Sequence, residues 1–134
     1  AHPHFEPVLL EHRSDAASSP QPIGFQGPAR LPIEFPALEN AGLAGVFFAT
    51  PPEVSMELAP PFLAAGVRVV DLSGAFRLKT VANYQTWYKE EHHAPHLLGD
   101  AAYGLPEFFR NTIKHAKLVA NPGCYPTAAN LALR

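Results

Sequence analysis

The sequence predicts an α/β fold built on a parallel sheet, and three observations carry that prediction. Short, continuous apolar runs bounded by turn residues recur along the chain, as strands of a parallel sheet buried on both faces require. Between two of these runs lies a segment with acids in its first turn and a glycine at its end, the pattern of a crossover helix. The chain has 134 residues, about one domain or a piece of a larger one.

The first run, Pro7 to Glu11, predicts a strand. From Asp15 to Asn40 the chain carries Ser18-Ser19-Pro20, Gly24, Gly27-Pro28, Pro32 and Pro36 with little periodicity, a connection that holds one short strand near Leu31 to Phe35. Gly45 to Ala49 and Val67 to Leu72 are the next two runs, and the helical segment between them begins at Pro52-Glu53 and ends at Gly66. Strand, helix, strand within about 30 residues is a βαβ unit. Pro60 and Pro61 cannot both sit in an unbroken helix interior, so a kink or two short helices are expected there. An excursion over 80–116 opens with a helix around Tyr84 to His93 and closes at Tyr103-Gly104-Leu105-Pro106-Glu107. Glu107 there reads as a residue of a turn leading into a helix N-terminus rather than as a site carboxylate. Lys117 to Ala120 is the fourth run, followed by a tight Pro122-Gly123 turn and a helix from Cys124 through Leu131.

Composition narrows the function classes. Charged residues are 16% of the chain against a usual ~25%, which leaves apolar surface for a partner. The 15 prolines and 9 glycines stay below the ~25–30% that marks disorder. A net charge of -2 gives no electrostatic footprint for nucleic acid or an anionic membrane, and no apolar run reaches the ~18–20 residues of a membrane span. The single cysteine cannot form an internal disulfide, and Ala1 onward shows no basic region followed by an apolar core and a small-residue cleavage site, so a reducing, cytoplasmic compartment is the default expectation. The chain opens at Ala1-His2-Pro3-His4 without an initiator Met and stops at Leu131-Ala132-Leu133-Arg134 inside a predicted helix without a cap; both ends read as cut from a longer protein.

Ligands of an open parallel sheet bind beyond the carboxyl ends of its strands. The residues that follow the four runs are His12-Arg13-Ser14, Thr50-Pro51-Pro52, Ser73-Gly74-Ala75 and Asn121-Pro122-Gly123-Cys124. Arg13 and Ser14 suit a phosphate or ribose oxygen, although an arginine after a strand is also an ordinary solvated charge. Thr50 and Ser73 read equally as helix caps or turn formers. Cys124 reads either as a small buried hydrophobe or as a nucleophile, and its place at a predicted helix N-terminus, where a thiolate and a developing oxyanion are both stabilised, brings the second reading level with the first. His115 precedes the strand that Cys124 follows and cannot be its base. His92, His93 and His96 lack the cysteines or carboxylates that would complete a tetrahedral site. They read as a solvated or interfacial loop, and no metal is assigned.

Asn121-Pro122-Gly123-Cys124-Tyr125-Pro126-Thr127 resembles the active-site cysteine signature of the N-acetyl-gamma-glutamyl-phosphate reductase family. Asp71-Leu72-Ser73-Gly74-Ala75-Phe76-Arg77-Leu78, Ala102-Tyr103-Gly104-Leu105-Pro106-Glu107, Phe47-Phe48-Ala49-Thr50 with Glu53-Val54-Ser55, and the opening His2-Pro3-His4 match further family segments in order. The resemblance implies an incomplete Rossmann-type NADP-binding domain over 1–120 and, over 121–134, the nucleophile helix that opens a second α/β domain for substrate. It implies an oxidoreductase of arginine biosynthesis: Cys124 attacks the acyl phosphate of N-acetylglutamyl phosphate, phosphate leaves, and NADPH reduces the thioester to N-acetylglutamate semialdehyde. Arg13 and Ser14 would face the adenosine 2′-phosphate, and Thr50 and Ser73 would line the cofactor crevice. The parent would be a homo-oligomer acting on a small molecule.

Two family elements have no counterpart here: an initial strand with a glycine-rich turn, which Gly24-Phe25-Gln26-Gly27 cannot replace, and a catalytic histidine beyond Arg134. The 134 residues are therefore expected to be inactive alone. The alternatives are a related semialdehyde dehydrogenase of the aspartyl phosphate type, a noncatalytic remnant serving as an interaction module, and a cysteine hydrolase.

Overall fold

The computed structural model describes residues 3–11, 30–34, 38 and 42–134. The chain divides into two compact units, Ala1–Leu43 and Ala44–Arg134. In the first, β1 (Leu9–Glu11) and β2 (Arg30–Pro32) pair in parallel, with Leu10 opposite Leu31. The connection between these strands, including Arg13 and Ser14, lies outside the described residues.

The second unit holds a four-stranded parallel sheet in the order β3-β4-β6-β5. Its strands are β3 (Gly45–Phe48), β4 (Arg68–Asp71), β5 (Ala102–Tyr103) and β6 (Leu118–Ala120). β3 and β4 are joined by helix α1 (Pro52–Ala64), so the βαβ unit and the α/β class stand as expected. Proline begins α1 at a position where its missing N–H costs nothing, with Glu53 in the first turn. Gly66, at φ 80°, ends it in the left-handed conformation that glycine adopts without strain.

The prolines do not split this helix. One helix of 13 residues runs through both Pro60 and Pro61, in place of the two short helices that were one of the two expected outcomes. The physical reason is packing. A proline inside a helix costs about 3 kcal/mol, whereas burying a large apolar side chain stabilises by about 1.5–3 kcal/mol. Val54, Met56, Leu58, Ala59 and Phe62 of α1 are all buried. The last turn also recloses around the prolines, with the N–H groups of Ala65 and Val67 bonded to the carbonyls of Pro61 and Phe62.

The sheet rows differ in cover. Val46, Val69 and Leu118 form one buried row, and Phe48, Asp71 and Ala120 the next. Phe48 meets Phe62 of α1 edge to face at 5.5 Å, so these rows face the helix. On the other face Phe47 is 73% exposed and Val70 and Val119 are half-buried. The burial on both faces that the apolar runs predicted is therefore met on one face only, because α1 packs against just one of them.

The excursion contains helix α2 (Val81–Tyr88), a 3-10 turn at Pro95–Leu97, strand β5 and helix α3 (Pro106–His115). Thr80 caps α2 by accepting from the Asn83 N–H. Lys89, at φ 61°, ends it before the His92-His93 pair, short of the expected reach. Glu107 sits in the first turn of α3 as expected. Helix α4 (Cys124–Ala132) follows β6. Among the described residues no helix is long and apolar enough to cross a membrane.

Candidate functional site

Because β3, β4 and β6 are parallel, their carboxyl ends lie at one edge of the sheet. Thr50, Ser73 and the Asn121–Cys124 turn are thus brought to the same edge. The main chain ties two of these exits together: the Asn121 N–H donates to the Asp71 carbonyl at 2.8 Å.

Below the β4 loop sits Asp71, with no exposed surface. Its Oδ1 accepts from the Ser73 N–H at 3.1 Å and its Oδ2 from the Ser73 hydroxyl at 2.8 Å. The Ser73 Oγ in turn accepts from the Ala75 N–H at 3.1 Å. A buried carboxylate is stable only when its oxygens are satisfied in this way. Ser73 is therefore a turn-former, and one lone pair of its oxygen is left for a ligand. Thr50 shares a hydrogen bond of 2.9 Å with the buried Ser55 hydroxyl on α1.

His92 extends this chain of contacts and departs from the expected solvated or interfacial loop, while His93 and His96 are exposed. It is 4% exposed, with Nε2 bonded to the Ala75 carbonyl at 2.9 Å and Nδ1 accepting from the Ala94 N–H at 3.2 Å. Those partners fix a neutral ring protonated at Nε2. Burial pushes its pKa below the ordinary histidine value, more than the Ala75 hydrogen bond raises it, and His93 and His96 push it further down. The ring packs edge-on against Phe76 and Tyr84. The Tyr84 hydroxyl is buried with no hydrogen-bond partner among the described residues, and burial, ahead of nearby acidic groups, raises its pKa.

Arg77 ends the β4 loop. Its Nε donates to the Asn121 carbonyl at 2.8 Å and its Nη2 to the Leu72 carbonyl at 2.9 Å. A Cβ at Gly123 would lie 3.3 Å from Nη1, so a side chain there would crowd the guanidinium by a few tenths of an ångström. Gly104 plays a similar part beside β6: a Cβ there would come within 3.0 Å of Val119 and 3.1 Å of the Ala120 carbonyl.

Cys124 is exposed and is the first residue of α4. It is not the buried hydrophobe that a lone cysteine can be. Gly123 precedes it without a side-chain cap, and the Thr127 N–H and hydroxyl both donate to the Gly123 carbonyl. Pro126 has no N–H, so the first turn offers those of Cys124 and Tyr125, which have no intrahelical acceptor. β6 separates His115, at the end of α3, from Cys124 along the chain.

The structure thus brings Thr50, Ser73 and Cys124 to one edge, while Arg13 and Ser14 fall outside the described residues. Sequence reasoning assigned no role to Asp71, Arg77 or His92. The first two stand in the Asp71–Leu78 segment; Asp71 bonds the N–H and hydroxyl of Ser73 two residues on, whereas the partners of Arg77 are main-chain carbonyls that no side-chain pattern reveals.

Comparison with known proteins shows which sequences this chain resembles. Residues 1–116 match the family described as semialdehyde dehydrogenase, NAD binding domain. A protein of Thiobacillus denitrificans named N-acetyl-gamma-glutamyl-phosphate reductase is 46% identical over 136 aligned residues, covering 97% of this chain and 39% of that protein. Proteins of the same name from Janthinobacterium and Magnetococcus marinus are 50% identical over 107 residues and 57% over 88 residues. These alignments cover 78% and 66% of this chain, and 31% and 25% of those proteins. The chain spans about two fifths of the length of such relatives at most.

Proposed function

The chain belongs to the semialdehyde dehydrogenase NAD-binding domain family, and from that premise we propose that it contributes the cofactor edge and the nucleophile of an N-acetyl-gamma-glutamyl-phosphate reductase. The observation that carries the reading is an exposed cysteine opening a helix at the carboxyl edge of a parallel sheet. Its relatives' shared name supports the same reading.

The Cys124 thiolate attacks the acyl carbon of the substrate. A C–S bond forms, the C–O bond to phosphate breaks, and inorganic phosphate leaves with the electron pair. The Cys124 and Tyr125 N–H groups are suited to the oxyanion of that step, because donors held in place beforehand need no reorganisation as charge develops. Two-electron reduction of the thioester carbon would then break the C–S bond, so that the semialdehyde leaves and the electron pair returns to Cys124 as thiolate.

Half-buried Thr50 and Ser73, with Leu72 41% exposed beside them, fit a nicotinamide cofactor: the hydroxyl oxygens keep acceptor capacity for a ribose, and Leu72 offers apolar contact to a flat ring. The bound cofactor would supply the hydride. We assign NADP(H) rather than NAD(H) because a cation and a hydroxyl, Arg13 and Ser14, follow the first strand where an NAD site usually places an acid. Residues 121–134 would open the substrate domain.

The test is trapping. The full-length protein mixed with acyl phosphate without NADPH should gain the acyl mass on Cys124 and release one phosphate per site. Absence of the adduct, together with unimpaired turnover by Cys124→Ser, would refute the assignment. Arg13→Ala should weaken NADPH binding and spare NADH; equal losses would remove the cofactor preference.

A further inference from the structure

We propose that Gly104 is a positioning residue for Cys124: its missing side chain lets the chain beyond β5 press against the exit of β6 and fix where the nucleophile turn begins. The proposal rests on the reading of Cys124 as nucleophile. β6 lies between β4 and β5, so Asn121, the residue that leaves it, has a neighbour on each side. On the β4 side its N–H donates to the Asp71 carbonyl at 2.8 Å. On the β5 side the pairing of Ala102 with Val119 and of Tyr103 with Ala120 continues one residue further, where the Gly104 N–H donates to the Ala120 carbonyl at 2.8 Å. A Cβ on residue 104 would lie 3.0 Å from the Val119 side chain, 3.1 Å from the Ala120 carbonyl oxygen and 3.1 Å from the Asn121 Cα.

Conformation does not account for a glycine here. Among the described residues the glycines with positive φ are Gly42 and Gly66, so what position 104 requires is space. Two of the three contacts are main chain. A valine side chain can give way, whereas a carbonyl and a Cα move only with the strand that carries them. Gly104 cannot draw back either. The Leu105 side chain is buried, its N–H bonds the Tyr103 carbonyl at 2.9 Å, and its carbonyl accepts from the N–H groups of Phe108 and Phe109 in the first turn of α3. A side chain at 104 would therefore push Asn121 aside by a few tenths of an ångström, and Pro122 and Gly123 would pass the shift to Cys124. Because α4 begins at the cysteine, the thiolate would keep its helix N-terminus and lose its aim at the acyl carbon.

Single-turnover acylation of the full-length protein by acyl phosphate, read as phosphate released without NADPH, tests this brace. The variants are Gly104→Ala, Val119→Ala and the Gly104→Ala/Val119→Ala pair. Displacement of a reacting group by about 1 Å can cost about 10²-fold in rate, so the smaller shift in Gly104→Ala should slow acylation by about fivefold to tenfold. Alkylation of Cys124 by iodoacetamide should keep its pH profile and stay within about twofold of the parent, since that reactivity depends on the helix start alone. The pair should remain at least about threefold slower than Val119→Ala, because both main-chain contacts persist. Unchanged acylation in Gly104→Ala, full rescue by Val119→Ala, or an equal fall in alkylation would each overturn the proposal. The last would mean that the turn is disordered rather than displaced. Should Gly104→Ala not fold, the pair, which lacks the tightest contact, carries the same comparison.

A parent protein that takes up no acyl group fails the nucleophile reading instead. A crystal structure of Gly104→Ala then judges the brace without turnover: the Asn121 Cα should stand a few tenths of an ångström from its parental position relative to β3 and β4. An unmoved Asn121 would sink the brace by itself.

Discussion

The loop after β4 and the turn after β6 leave adjacent parallel strands at the same edge, yet they are built in opposite ways. The β4 loop engages its polar groups in internal hydrogen bonds: Asp71 with Ser73, Ser73 with Ala75, and the Ala75 carbonyl with His92 of the following excursion. The β6 turn ends in an exposed Cys124 at an uncapped helix start. The difference separates order from reactivity. A group whose hydrogen bonds are satisfied and buried contributes rigidity, and a group left exposed at a helix N-terminus keeps its chemistry available.

Substitutions that exchange these roles should have mirrored effects. The largest concerns Cys124→Ser. Turnover of the full-length protein should fall by about 10³-fold or more, as when a nucleophile is removed, while unfolding free energy stays within about 0.5 kcal/mol of the parent, as for an exposed side chain. NADPH-oxidation assays and urea melts measure the two halves. A large loss of stability would mean that the β6 turn is as structural as the β4 loop.

Asp71→Ala should do the reverse. It removes the acceptor of two hydrogen bonds from Ser73, and hydrogen bonds to a charged group contribute about 1.5–3 kcal/mol each. A destabilisation of about 3 kcal/mol is expected in urea melts. Unchanged stability would show that the buried carboxylate does not organise the β4 loop.

The third contrast is with pH. Burial lowers the folded pKa of His92 below the ordinary unfolded value of about 6.5. Above that value both states are neutral and the contribution to stability is complete. As pH falls below about 6.5 the unfolded chain takes up the proton first, and stability drops until the lowered folded pKa is passed, with a slope of at most about 1.4 kcal/mol per pH unit from this group. Melting temperatures at pH 7.5 and 5.5 should differ more for the parent than for His92→Gln. The same pH dependence in both would assign the effect elsewhere.

The smallest effect has the opposite sign. The Tyr84 hydroxyl is buried without a partner among the described residues, and an unsatisfied buried hydroxyl is a cost. Tyr84→Phe should therefore leave stability unchanged or raise it by about 1 kcal/mol in urea melts. A clear loss would indicate that the hydroxyl has a partner in solution, such as a bound water.

The main elements were legible because their signals are local. Apolar runs marked β3, β4 and β6; Pro52, Glu53 and Gly66 marked the two ends of α1; and the Pro122-Gly123 turn marked the start of α4. Cys124 was legible as a candidate for the same reason, since its chemistry depends on the helix it opens. β5 was not, because two residues, Ala102-Tyr103, become a strand only by pairing with β6. The intact α1 was not either, because its prolines are offset by Phe62 and its buried neighbours, whose partners lie across the sheet.

By itself the sequence determined the α/β class, the order of strand and helix in the βαβ unit, and the placing of a cysteine at a helix start, all of which follow from periodicity and turn chemistry within a few residues. Only the tertiary structure decided that His92 is a buried, neutral strut and that Arg77 joins Leu72 to Asn121 across 44 residues of separation from the latter. Those roles depend on which carbonyls remain unpaired once the strands are aligned, and that is settled by the register of the sheet and the closure of the loops upon it.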